Sequence, residues 1–487
     1  MKITIWLFLG FLVLIAGQGT RASVLHVGTA STDITPPLPF ALMGQFDLRI
    51  ARTIETPLTA NVLALETRNK NRSLETAILV SCDLVTIPTV LLTRLRAQVQ
   101  KQLPGLDVTK IIVNATHTHT SPVLANDLLT YPIPKEGVTQ LETCQTFVVN
   151  RLTEAVVRAW KNRTPGSVSW GLGLAVVGSN RRAVYANGTA GLYGGTHVPE
   201  FQHLESAEDH GVHGLFFENN AGQLLAVGVA VACPAQEAEG HLAVNADYWH
   251  EVRRRLKQRF GDGLCVLGWI GASGDVSPHP MYRQAAEFRM LKLKRGGRLE
   301  EVGRRISETV IETYEAVRHE GLAQLPFTHQ VTTISLPMQI VPEADYAVSK
   351  AEHDKAAAQM QSDARTTEKV FAALNWHRDA MNRYEKQQTG TQPGLETEIH
   401  VLRLGDVALC TNPFELFTDY GIQIQARSKA LQTVVVELVG PGTYLPTERA
   451  VRAGGYSAIS QSNLVGPEGG KMLVDQTVEL INQLWNK

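Results

Sequence analysis

The stretch ATHTHTSP, residues 115–122, sets two histidines one residue apart, just after the apolar run Ile111-Ile112-Val113. Side chains of an extended strand alternate between faces, so His117 and His119 point the same way if the extension continues. Neutral imidazole binds zinc well, and an HxH pair on one face is a common start of a metal site. Two water-bonded histidines at a strand end satisfy the same residues, and the pair alone leaves both readings open. Other polar clusters share this position after an apolar run. Asp83 follows AILVSC, and Arg181 with Arg182 lies in SNRRA. Cys233 and His241 lie in ACPAQEAEGHLAVNADYWHE, and Ser277 lies in GASGDVSPHP. Glu415 lies in NPFELFTDYG, while Tyr444 and Tyr456 follow TVVVELV. Sites of α/β proteins assemble at strand ends. Each cluster also has a plain structural reading. Asp83 could cap the helix near Pro88, Arg181 could pair with a surface carboxylate, and Asn412 with Glu415 could form a capping box around Pro413. The tyrosines could be half-buried aromatics, and each cysteine a small buried hydrophobe. Recurrence at successive strand ends is what points to chemistry.

The elements that must hold these residues alternate in type. Strand-like runs are expected at 60–65, 77–82, 110–115, 167–174, 212–217, 224–232 and 264–270, with helices at 89–102, 140–161 and 246–260. This predicts an α/β fold with a mixed β-sheet core flanked by helices. Polar helical patterns cover 281–318 and 343–388; the second reads as a solvated helical pair without chemistry. Strand–helix alternation then returns: strand 397–410, helix 415–430, strand 433–439 and a final helix at 470–486. The glycine-rich GTAGLYGG, 188–195, lacks the spacing of a dinucleotide fingerprint and reads as a flexible surface loop.

The whole chain has 487 residues and a net charge of −1, which gives no general attraction to nucleic acid. Residues 1–22 have Lys2, an apolar run from Ile3 to Ala16, then small and polar residues. That pattern is a secretory signal, too short for a membrane span, so a secreted or periplasmic location is expected. The five cysteines are odd in number and lack CxxC spacing, so no disulfide framework is indicated.

Four motifs together resemble the neutral/alkaline (non-lysosomal) ceramidase family, zinc-dependent amidases that split ceramide into sphingosine and a fatty acid. ATHTHTSP resembles its ATHTHSGP motif, and SGDVSP its GDVSPN motif. Tyr444 and Tyr456 are twelve residues apart, as are the family's two site tyrosines, and GTASTDITPP resembles its opening segment. The resemblance runs from about Val24 to Ala458 and implies a catalytic domain over 24–487 with a helical insertion at about 340–390. The family's C-terminal β-sandwich domain is expected to be missing.

The resemblance implies Zn2+ held by His117, Glu415 and Tyr444. It implies His119, Arg181 and Tyr456 on the substrate, and Ser277 as the site serine, either attacking the carbonyl or holding a substrate hydroxyl. The family's second zinc histidine is replaced by Cys233 in VAVACPAQE. Thiolate is a good zinc ligand, so a His/Cys/Glu/Tyr site is expected, with His241 as an alternative donor. The implied reaction is hydrolysis of an amide bond in a small-molecule or lipid substrate, which transient contact with a membrane surface would suit. A different amide or ester on the same scaffold, or a binding protein without zinc, are the alternatives.

Overall fold

The computed structural model describes residues 23–125, 131–362 and 367–486. The expected signal segment, 1–22, lies outside them. Eight strands form the larger sheet: β1 (Val24–Asp33), β2 (Thr59–Asn69), β3 (Arg72–Cys82), β4 (Ile111–Ala115), β5 (Thr164–Leu174), β6 (Gly211–Asn219), β7 (Leu224–Val231) and β8 (Cys265–Ile270). Their order is β8-β7-β6-β5-β1-β2-β3-β4. The pairs β3–β4 and β7–β8 are parallel, and the other neighbours are antiparallel. β5 meets β1 over two register pairs only, so the sheet has two halves with a narrow seam. Side chains tie the halves again. Ser81 Oγ donates to the Gly268 carbonyl at 2.7 Å, and Asn114 Nδ2 donates to the same oxygen at 3.0 Å. The C-terminal ends of both parallel pairs therefore lie side by side.

A second sheet has the order β9 (Phe327–Leu336), β10 (Leu395–Leu404), β11 (Val407–Thr411) and β12 (Gln432–Val436), with β11–β12 parallel. The two sheets share a core in which Leu63, Leu79, Phe217 and Leu267 meet Leu402, Val407, Leu409 and Val434. Helices α1 (Thr89–Gln102) and α2 (Leu141–Lys161) cover one half of the larger sheet. Leu91, Leu95 and Val99 recur every four residues, which puts all three on the buried face of α1. Helices α3 (Tyr248–Phe260) and α5 (Arg298–Val317) cover the other half, and α4 (Gln284–Lys294) lies beside α5. Next come α6 (Glu343–Ser362) and α7 (Thr367–Gln388), packed on each other, then α8 (Thr418–Arg427), α9 (Glu448–Ala453) and α10 (Pro467–Leu484). α8 and α10 close the outer face of the second sheet through Ile424, Leu473 and Ile481. The result is four layers, helix–sheet–sheet–helix. Each fully buried aliphatic side chain contributes about 1.5–3 kcal/mol to it.

Several expectations need correction. The strand at 397–410 is a hairpin, because Gly405 takes φ +64° and turns the chain. The helix at 415–430 starts only at Thr418, and Glu415–Leu416 instead pairs in parallel with Tyr444–Leu445. The capping box therefore does not form, and Asn412 Oδ1 accepts from the Phe414 amide. Asp83 does not cap α1, whose N-terminus has no side-chain cap. It receives both guanidinium nitrogens of Arg253 at 2.7 and 2.8 Å, fastening the end of β3 to α3. The glycine-rich segment is not a loose loop. Arg182–Tyr185, Ala190–Leu192 and Phe201–Leu204 form a three-stranded sheet, with Gly188 in the turn at φ +81°.

Candidate active site

Strand β4 stops at Ala115, and His117 adopts φ +68°. Same-face alternation along an extended strand is thus not what brings the two histidines together. A left-handed histidine costs about 1–3 kcal/mol. Two hydrogen bonds hold it: His117 N donates to the Leu84 carbonyl at 2.9 Å, and Nδ1 to the Val85 carbonyl at 2.8 Å. The second bond places a proton on Nδ1 and turns Nε2 toward the cavity. Nε2 lies 3.5 Å from Glu415 Oε2 and 3.2 Å from His119 Nε2. The two imidazoles meet edge to face at 75°.

Glu415 comes from the segment after β11, and Tyr444 from the segment after β12. Their parallel pairing aligns both side chains with the end of β4. Burial pushes the Glu415 carboxyl up, but His117, Arg181 and the Tyr444 hydroxyl together hold it below its usual value, so it is an anion. Burial, then Glu415, drives the Tyr444 phenol well above its usual value. Tyr456 stands edge-on to Tyr444 at 5.6 Å. Beneath them lies Arg181, 2% exposed. It donates to Tyr193 Oη and Gln236 Oε1 at 3.0 Å, to the Gly274 carbonyl at 3.0 Å and to Tyr444 Oη at 3.4 Å. Its guanidinium is 3.8 Å from Glu415 Oε2.

His117, His119, Glu415, Tyr444 and Tyr456 line one cavity of about 180 Å3, together with Phe46 and Tyr131. Arg181 stands behind its wall. Ser277 does not line the cavity. It is fully buried, and its Oγ accepts from Tyr193 Oη and from the His279 amide, both at 3.1 Å. Cys233 is not brought to the cavity either. It packs with Val177, Val231 and Trp249, its thiol directed at the Pro234 carbonyl at 3.6 Å. Burial, then Asp247, pushes that thiol well above its usual value. His241 is 45% exposed and pairs with Glu55 at 2.8 Å.

Several residues had no clear signal in the sequence. Gln236 Nε2 is 2.8 Å from His119 Nε2. Arg49 donates to the His119 and Glu239 carbonyls, both at 2.6 Å, and to the Met43 carbonyl at 2.9 Å, clamping three loops. Glu437 is buried and accepts from Ser273 Oγ and the Leu416 amide, both at 2.7 Å, which braces the Glu415 strand against the serine loop. Burial raises its carboxyl well above the usual range. Tyr193 comes from the glycine-rich segment. Trp376 comes from α7, which the sequence credits with no chemistry, and packs 5.9 Å from Tyr456 and 6.1 Å from Phe46.

The site's hydrogen bonds test the fit of the implied zinc. Arg181 sets the Gln236 amide with its NH2 toward His119, so His119 Nε2 is an acceptor. His119 Nε2 then faces His117 Nε2 at 3.2 Å, with the Glu415 carboxylate 3.5 Å from the latter. That is an environment for a cation. The four-donor set does not assemble, because Cys233 points into the apolar core. Among the described residues no three His, Cys, Asp or Glu side chains are grouped to hold one ion, and the further oxygen beside Glu415 is the Tyr444 phenol. The residues that would hold an ion here are His117, Glu415 and Tyr444.

Fold and site define an α/β protein with its polar residues gathered at the C-terminal ends of three parallel strand pairs. The chain has the fold of the neutral ceramidases, as its motifs led us to expect. A structure of ceramidase complexed with C2 superposes with a TM-score of 0.66 at 16% identity, spanning 95% of this chain and 76% of that one. Neutral ceramidase from Pseudomonas aeruginosa superposes with a TM-score of 0.65 at 16% identity, spanning 95% and 75%. No family model and no curated protein matches the sequence.

Proposed function

We propose that the protein is an exported hydrolase of the amide (N-acyl) bond of a lipid-like substrate, working in the cavity between His117 and Tyr456. The observation that carries this reading is the convergence of His117, His119, Glu415, Tyr444 and Tyr456 on that cavity, from the segments 117–119, 415 and 444–456, with Arg181 behind it. The ceramidase fold and the complex with C2 support the substrate class.

His117, Glu415 and Tyr444 would hold zinc, which when bound supplies a Lewis acid and an acidified water. The chain's own groups do the rest. Arg181 cannot lose its proton at working pH and is held by four acceptors, so its charge is fixed in place beside Tyr444. The Tyr456 hydroxyl, with that charge behind it, stabilises an oxyanion on the scissile carbonyl. Burial, then His117, holds the His119 imidazole well below its ordinary value, so it is neutral and meets the scissile amide as a hydrogen-bonding group beside the metal position. Ser277 acts through Tyr193, whose hydroxyl it shares with Arg181, rather than as a nucleophile.

Hydrolysis of a different amide or ester on this scaffold is the alternative reading. Two measurements test the proposal. Metal analysis of protein purified without chelators is expected to show stoichiometric zinc. A panel of N-acyl amines of increasing chain length is expected to show amine release. Protein free of zinc and inactive on the whole panel would leave a binding protein.

A further inference from the structure

Helix α4 is the most exposed helix of the larger sheet's outer layer. Leu291 is its one buried residue, and a groove of about 420 Å3 separates α4 from α5. The face turned to the body is electrostatically settled. Glu287 pairs with Arg298 at 3.0 Å and with Arg283 at 3.6 Å, and Lys294 pairs with Glu301 at 2.9 Å. The opposite face is not. Phe288 and Leu293 are 52% and 60% exposed, and Tyr282 just before the helix is also exposed. Arg289, Lys292 and Arg295 alternate with these apolar residues, and none has an acidic partner among the described residues.

Segment 282–298 carries six cations (Arg283, Arg289, Lys292, Lys294, Arg295 and Arg298) and one acid, Glu287, a net of +5 in a chain whose total is −1. Folding alone does not account for this pattern. Large exposed apolar side chains lose hydration free energy that burial would return, and unpaired like charges on one short helix repel. Both costs are reversed against one kind of partner. An anionic lipid surface accepts Phe288 and Leu293 at the acyl boundary while its headgroups neutralise the cations between them.

We propose that α4 is a docking element that lies flat on anionic lipid, with Phe288 and Leu293 inserted and Arg289, Lys292 and Arg295 at the headgroups. The assignment is independent of what the cavity hydrolyses. The test is flotation of the full chain with phosphatidylcholine vesicles containing phosphatidylglycerol, against vesicles of phosphatidylcholine alone. Binding is expected only to the anionic vesicles and is weakened by salt, since charges at a surface are screened. Arg289→Gln and Lys292→Gln are each expected to weaken it roughly fivefold, the worth of about 1 kcal/mol per cation at such a surface. Phe288→Ser with Leu293→Ser is expected to abolish it. These residues are exposed, so an unchanged thermal transition of each variant shows the fold is kept. No flotation with either vesicle, equal flotation with both, or binding indifferent to all four substitutions overturns the proposal. A protein partner on this face would show as vesicle-independent behaviour of the same variants, and it too would overturn it.

Discussion

The side-chain amide of Gln236 bridges Arg181 and His119. Its oxygen accepts from the Arg181 guanidinium at 3.0 Å, and its nitrogen lies 2.8 Å from His119 Nε2. One amide thus sets the protonation pattern of an imidazole and one edge of a buried charge. Gln236 lies three residues beyond Cys233, in the segment where the resemblance calls for a metal-binding histidine. Gln236→Leu keeps the volume and removes both bonds. Turnover of an N-acyl substrate is expected to fall about 10–100-fold, the usual cost of losing such an orienting partner, with zinc content unchanged. Undiminished turnover would show that His119 needs no such partner.

Cys233 sits among apolar side chains rather than on the cavity. Cys233→Ala is expected to leave zinc content unaltered and to cost about 1 kcal/mol in denaturant unfolding. Cys233→Ser is expected to cost more, about 1–3 kcal/mol, because its hydroxyl would be buried among Val177, Val231 and Trp249. Loss of zinc in the alanine variant would overturn this placement.

Adjacent arginines have different tasks. Arg181 serves the cavity, while Arg182 is fully buried against Glu205 at 2.7 and 3.0 Å and also holds the Gly454 carbonyl and Ser457 Oγ. Glu205→Ala strands a buried guanidinium and is expected to destabilise the protein by about 3–5 kcal/mol. Because Arg182 anchors the segment carrying Tyr456, the protein that still folds is expected to lose activity as well. A melting temperature within a degree or so of the parent would refute the assignment.

A second histidine pair lies away from the cavity. His329 Nε2 is 3.0 Å from His400 Nδ1, His400 Nε2 is 3.1 Å from Glu398, and Glu398 is held by Arg96 at 2.7 Å. Burial lowers both imidazoles, His329 further because His400 faces it and Lys110 is near. Below about pH 6.5 the unfolded chain takes up protons that these native histidines refuse, so stability falls as pH falls through that range. Glu398 is held at about 2; burial opposes this, but His400 and Arg96 prevail, so its share is lost only from about pH 4.5 downward. Urea unfolding of His329→Gln between pH 7 and 5 is expected to show a shallower pH slope than the parent. Identical slopes would assign the loss elsewhere.

Trp376 reaches the cavity's aromatic wall from α7 and packs on Phe46 and Tyr456. Trp376→Ala removes that support from the cavity's aromatic wall. KM is expected to rise for longer N-acyl substrates and to change little for the shortest, with kcat retained on both. An equal effect across chain lengths would place the tryptophan in structure alone.

The sequence by itself determined the layered α/β fold and the segments that supply the site. Both follow from local chemistry. Apolar runs of strand length must be buried, and polar residues directly after them stand at sheet edges. Expected helices at 89–102 and 140–161 match Thr89–Gln102 and Leu141–Lys161 within one residue, because periodicity is a local property. Side-chain direction was decided only by the tertiary structure. His117 turns through a positive φ because carbonyls of residues 84 and 85 hold it there. Glu415 faces His117 because a strand pairs Glu415–Leu416 with Tyr444–Leu445 instead of the helix its capping pattern suggested. Cys233 faces inward, its thiol against Gly178, where a Cβ would stand 3.1 Å from the sulfur. Each of these choices rests on atoms distant in the chain or on a single torsion, and neither leaves a periodic trace in sequence.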